Sequence, residues 1–161
     1  LTKFYSNMEK YAPELQEIIT NSYIELYNNL TNNIDENKIY LYERSHESSI
    51  YVFLKELKKY YINLDEYESN MLKLKNIKHK FDLIIFIFTL DMDINLKRII
   101  KRNNYFNDKI ITKDYLQNLE LLHIGWFWNF KSENKNVIMI FNNTSITELK
   151  KQIKNIFSQL I

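Results

Sequence analysis

Apolar positions along the 161-residue chain recur with a helical rhythm in some stretches and as short continuous runs in others. Leu15, Ile18, Ile19, Tyr23, Leu26 and Leu30 fall at three- and four-residue intervals, which lays one apolar stripe along a helix. That spacing predicts a helix over 13–32, with Pro13 in its first turn, where a missing N–H is not needed. Residues 32–38 are polar and read as a loop. Ile39-Tyr40-Leu41-Tyr42 is an apolar run of strand length. Helical patterns are expected over 48–60 and 65–78. Leu83-Ile84-Ile85-Phe86-Ile87-Phe88 is β-branched and aromatic without alternation, the pattern of a strand covered on both faces in a parallel sheet.

Asp91 or Asp93 can cap the helix that follows, turning Leu96, Ile99 and Ile100 inward. The pattern breaks over 103–109, and Thr112 is placed to cap a helix through Tyr115, Leu116, Leu119 and Leu122 to residue 130. Residues 137–141 form the last apolar run. Ser145-Ile146-Thr147-Glu148 has the form of a capping box, opening a helix with Ile146, Leu149, Ile153, Ile156 and Leu160 inward. Strands separated by helices predict an α/β fold around a parallel sheet. Three strands are few for such a sheet, so amino-terminal strands are expected to be missing from it.

The length predicts a single domain over 1–161. A net charge of +2 argues against a nucleic-acid polymer as partner, because such modules concentrate basic charge on one face. Lys58-Lys59 and the lysines over 73–80 are the densest basic stretches and read as solvated helix faces, although Tyr60 and Tyr61 follow the first. Absence of cysteine excludes a disulfide framework and a thiolate metal site. It fits a reducing, intracellular compartment: the cytoplasm, or the mitochondrion if an upstream targeting segment exists. The longest apolar run, 83–90, is far short of the roughly 20 residues of a spanning helix, so no membrane partner is expected. His46, His79 and His123 lack metal-ligand spacing.

Candidate chemistry begins at Glu43-Arg44-Ser45. A buried strand over 39–42 would deliver a carboxylate, a guanidinium and a hydroxyl to its carboxyl end, where open parallel sheets bind ligands. The alternative is a structural ion pair between Glu43 and Arg44. One feature opposes a complete phosphate site: the chain has a single glycine, Gly125, and a G-x-x-x-x-G-K-S/T loop needs at least two.

Four segments, taken together, resemble the deoxyribonucleoside kinase family. They are Phe4-Tyr5 with Gln16; Glu43-Arg44-Ser45 with Phe53; Arg98 and Arg102 after the strand over 83–88; and Tyr115-Leu116…Leu119…His123…Trp126. The resemblance covers nearly the whole chain and corresponds to the latter two thirds of the family. It implies a three-layer, P-loop-kinase-like parallel sheet with flanking helices, and ATP-dependent phosphorylation of a deoxyribonucleoside at its 5′-hydroxyl. By the same resemblance Glu43 helps hold Mg²⁺, Arg44 contacts the 5′-oxygen and the transferring phosphoryl group, and Ser45 caps the next helix. Gln16 reads the base, Tyr5 bonds the sugar 3′-hydroxyl, Phe53 stacks on the base, and Leu1, Phe4 and Leu15 line the pocket.

Ile19, Tyr23 and Ser49 occupy the positions that select the base. Their lack of charge resembles the thymidine-accepting members and favours a pyrimidine. A lid over 102–110 is implied, with Arg98 and Arg102 on phosphates and Asp108 a candidate for the sugar hydroxyl. Asn104 stands where the family has a third lid arginine. Asn142 and Asn143 lie where the family places the adenine of ATP, while His123 and Trp126 are read as packing residues. The P-loop and the general base are expected outside this chain, which alone is expected to be inactive. A non-catalytic accessory subunit with the same fold is the alternative, and a nucleoside monophosphate kinase is a lesser one. Dimerisation is a further expectation, to which Tyr60, Tyr61 and Tyr67 would contribute.

Overall fold

A computed structural model describes the chain apart from residues 1, 32–34, 36, 90, 103–110, 134, 143–144 and 161, and without the side chains of 2, 31, 102 and 160. Two compact units divide it, Leu1–Lys80 and Phe81–Ile161. Among the described residues no helix is long and apolar enough to cross a membrane.

The first unit is helical. It comprises α1 (Thr2–Ser6), α2 (Met8–Thr31), α3 (His46–Ser48), a π-helical turn (Ser49–Phe53), α4 (Leu54–Leu57), a 3₁₀ turn (Lys58–Tyr60) and α5 (Leu64–Lys75). α2 begins earlier than its apolar stripe predicts, because Asn7 starts it: the Asn7 side-chain oxygen accepts the Lys10 N–H at 3.0 Å. Pro13 therefore lies inside the helix rather than in its first turn. Asn63 caps α5 through the Asp65 N–H at 2.9 Å. Phe4, Ala12, Ile50, Leu54, Leu57, Tyr61 and Leu74 form the core that holds these helices together.

The strand expected over 39–42 does not form. Ile39 is 62% and Leu41 75% exposed. The preceding segment is occupied by local bonds instead: the Asp35 carboxylate accepts the Asn37 N–H at 3.0 Å, its carbonyl accepts the Lys38 N–H, and its N–H donates to the Tyr40 hydroxyl. Such side-chain and turn bonds compete with ladder pairing, and a strand exists only where a neighbour completes its ladder.

Two of the expected strands form the sheet of the second unit. β1 (Ile84–Phe88) and β2 (Val137–Phe141) pair in parallel, Ile84 opposite Val137 and Phe88 opposite Phe141. Between them run α6 (Met92–Arg102) and α7 (Lys113–Ser132), and α8 (Ile146–Leu160) follows β2. The crossover is what a parallel pair requires. Asp91 starts α6 by accepting the Asp93 and Ile94 N–H groups, Thr112 caps α7, and Ser145 Oγ accepts the Glu148 N–H. Phe86 meets Trp126 and Phe127 of α7 edge to face, at 4.7 and 5.4 Å between ring centres.

β1 departs from the expected pattern because Ile87 is 48% exposed, so its carboxyl half is covered on one face only. Ile100 and Ile146, expected inward, are also exposed.

Phe130 anchors this core: it is fully buried, with Trp126 at 5.6 Å and Lys135 Nζ 3.5 Å from its ring centre. Phe130→Ala is expected to lower stability by about 3–5 kcal/mol in urea denaturation. Leu121→Ala on the exposed side of the same helix should change it by no more than about 0.5 kcal/mol. Similar losses for both would show that Phe130 is not a core anchor.

Candidate functional site

Most of the proposed nucleoside-side residues gather in the first unit around the start of the helical run 46–60. Ser45, in extended backbone, and Ser48 cap each other: Ser45 Oγ accepts the Ser48 N–H and Ser48 Oγ accepts the Ser45 N–H, each at 3.1 Å. Ser45 is thus the helix cap, as expected. Arg44 just before it has φ 70°, a left-handed conformation that costs a non-glycine residue about 1–2 kcal/mol. Backbone strain of this kind concentrates at ligand sites.

The π turn follows within four residues, the Leu54 N–H donating to the Ser49 carbonyl; such turns are frequent at functional sites. The Arg44 guanidinium lies over the Phe53 ring, 4.8 Å from its centre. Phe53, read as the base-stacking residue, therefore presents a face already covered by a cation. Glu43 is exposed and, among the described residues, makes no ion pair with Arg44 or any other cation. The structural ion pair considered from sequence is not formed.

Burial raises the phenol pKa of both Tyr5 and Tyr23, and the positive charge of Arg44 opposes it in each case. Hydrogen bonds from Ser48 and Ser49 also hold the Tyr23 phenol down. Tyr5, Tyr23, Arg44, Ser49 and Phe53 are thus brought together. Ile19 is half-buried on α2 between Gln16 and Tyr23.

Gln16 is the most telling residue. Its side chain is 0% exposed, and neither Nε2 nor Oε1 has a hydrogen-bond partner among the described residues. An unpaired buried polar group costs about 1–3 kcal/mol, so a fully buried, unpaired amide marks a place that a ligand or water completes. One turn further, Thr20 is equally buried with an unpartnered hydroxyl. The sequence reading passed over Thr20, although its position four residues after Gln16 places it on the same helix face.

Of the residues assigned to the phosphate donor, Arg98 and Asn142 meet in the second unit, at the carboxyl ends of both strands. Arg98 Nη1 donates to Thr89 Oγ1 at 3.1 Å and to the Asn142 carbonyl at 3.2 Å. Asn142 Oδ1 is buried without a partner among the described residues. Arg102 lies in α6, and its side chain falls outside the described residues, as do Asp108, Asn143, Leu1 and the lid beyond residue 102. His123 Nδ1 is bonded to the Leu119 carbonyl of its own helix at 2.7 Å and Trp126 is buried in the core.

The family model for deoxynucleoside kinase matches residues 1–160. The chain belongs to the deoxynucleoside kinase family. No curated protein matches it. Membership makes it a kinase-family protein with nucleoside and nucleotide ligands, and these kinases generally use ATP as the phosphate donor. Among the described residues no three His, Cys, Asp or Glu side chains cluster around a metal position. An open single carboxylate, Glu43, matches an ion held by one carboxylate, waters and substrate phosphates.

Beside this site the kinase-family chain carries a cluster that the sequence did not reveal. Tyr27 on α2 stacks on His79 at 4.6 Å and meets His46 edge-on at 5.1 Å. His46 is the first residue of α3 and is buried. Burial, then the nearby His79, pushes its pKa from 6.5 down to about 4. As pH falls below 6.5 the unfolded chain takes up this proton while the folded chain refuses it until about 4, so stability drops across that window. Urea midpoints should be highest above pH 6.5 and decline towards pH 4, and His46→Phe should flatten that decline. An unchanged slope in the variant would remove His46 as its source.

Proposed function

We propose that this protein phosphorylates the 5′-hydroxyl of a pyrimidine deoxyribonucleoside, thymidine being favoured, with ATP as donor. The observation that carries the reading is the Gln16 amide, wholly buried and without a hydrogen-bond partner among the described residues, on the helix that also carries Tyr23. A planar amide offers one donor and one acceptor side by side, the complement of a pyrimidine Watson–Crick edge. Tyr23 and Ser49 bring no charge to this pocket, which supports thymine over a base that needs a carboxylate or guanidinium partner. Tyr5 is assigned to the sugar 3′-hydroxyl, and Phe53 to the base once Arg44 withdraws from its ring.

In the reaction the 5′-oxygen attacks the γ-phosphorus and ADP leaves. Arg44, freed from Phe53, stabilises the charge that grows on the transferring phosphoryl group. Mg²⁺, held by Glu43 together with donor phosphates, would neutralise those phosphates. Arg98 and Arg102 are assigned to phosphate oxygens of the donor. Asn142 and Asn143 are assigned to its adenine, whose amino group suits the unpaired Asn142 Oδ1. The reading requires a phosphate loop and a general base for the 5′-hydroxyl proton that these residues, with their single glycine, do not supply. Asn104, at the position of a lid arginine, favours a second reading, a non-catalytic accessory protein that retains the nucleoside pocket.

Two variants test the proposal. Gln16→Leu is expected to raise the stability of the free protein while weakening thymidine binding about tenfold or more, since it removes an unpaired buried amide that only the ligand satisfies. Calorimetry of both quantities decides it; loss of stability with unchanged binding would make Gln16 a structural residue. In the full-length protein, Glu43→Ala should cut kcat by roughly two or more powers of ten with thymidine affinity nearly intact. An unaltered kcat would end the magnesium role, and a wild-type protein that binds thymidine without turnover would establish the accessory reading.

A further inference from the structure

Thr89 lies one residue beyond β1 and is buried, yet neither the sequence motifs nor the assignments above use it. Three elements meet at this residue. Its hydroxyl accepts from Arg98 Nη1 on α6 at 3.1 Å and faces the Asn142 carbonyl beyond β2 at 3.4 Å. Its own carbonyl accepts from Asn95 Nδ2, also on α6, at 3.3 Å. The same Arg98 Nη1 reaches the Asn142 carbonyl at 3.2 Å, and the Asn142 N–H donates to the Phe88 carbonyl at 2.6 Å. The carboxyl ends of two parallel strands and the helix between them are thereby clipped into one arrangement.

We propose that Thr89 is a positioning residue for the donor phosphates: it fixes the guanidinium of Arg98 at the strand ends before ATP arrives. The inference rests on the phosphate role proposed above for Arg98. The clip engages Nη1 alone. The Nε–Nη2 edge has no protein acceptor among the described residues, and it is the planar fork that binds a phosphate through two parallel hydrogen bonds. A long side chain ordered in advance removes its immobilisation from the cost of binding. The Thr89 hydroxyl is the side-chain acceptor of Arg98 Nη1, beside the Asn142 carbonyl, while Asn95 ties the strand end to α6. Valine at this position keeps the shape and the strand-end backbone but leaves Arg98 Nη1 with the Asn142 carbonyl alone.

The test measures ATP affinity of the full-length protein by titration calorimetry for wild type, Thr89→Val, Thr89→Ser, Arg98→Ala and the Thr89→Val/Arg98→Ala double variant. Thr89→Val is expected to weaken ATP binding about fivefold to tenfold, the worth of one ordinary hydrogen bond. Thr89→Ser should restore it, and the double variant should bind no worse than Arg98→Ala, because the hydroxyl acts through that arginine. Nitrogen-15 relaxation of the Arg98 side chain without ATP should show more motion in Thr89→Val than in wild type or Thr89→Ser. Wild-type affinity in Thr89→Val, or losses that add fully in the double variant, would overturn the inference and leave the phosphate role of Arg98 standing. If Arg98→Ala itself binds ATP as wild type does, that role is wrong and the inference falls with it.

Discussion

The reciprocal cap between Ser45 and Ser48 is the interaction on which the first unit's site depends. It holds Arg44 in a left-handed conformation that such a residue adopts only under compulsion. A serine cap contributes about 1 kcal/mol, comparable to the strain immediately before it, so the turn persists because the helix start supports it. From this corner the chain directs Arg44 over Phe53 and sets Ser48 and Ser49 against Tyr23. Without it, the residues that gather around the pocket share no common frame.

The pocket is assembled at the expense of the protein's own satisfaction. Gln16 and Thr20 bury polar atoms that nothing among the described residues pairs, while a few residues away the core is made of aromatic and aliphatic side chains. Evolution tolerates such groups where binding energy recovers the loss, a usual tension between stability and activity. Arg44 shows the same economy: its charge rests on the aromatic face of Phe53. Under the role proposed for Phe53, nucleoside entry and release of the guanidinium are one event.

Features governed by local chemistry were legible in the sequence. Thr112, Ser145 and Ser45 announced helix starts because a cap needs only a side chain and the next turn. The strands around Phe86 and Met139 were legible because β-branched and aromatic residues crowd there. The run over 39–42 had the same composition and did not become a strand, since composition says nothing of whether a neighbour is present to pair. Gln16 and Arg44 were singled out by family resemblance, while Thr89 was not. Its partner Asn142 lies 53 residues away, and no local pattern records such a contact. The His46–Tyr27–His79 cluster escaped for the same reason.

The π turn at Ser49–Phe53 has a consequence for how the site can vary. One extra residue within a turn rotates everything after it by about 100° relative to a regular α-helix. The direction in which Phe53 meets Arg44 is thus written in the spacing of the chain, independently of which side chains fill the turn. Residues here can be exchanged one for another while the bend survives. Loss of a single residue would restore the regular helix and carry the aromatic ring away from the guanidinium. In this pocket, length is as much a determinant as chemistry.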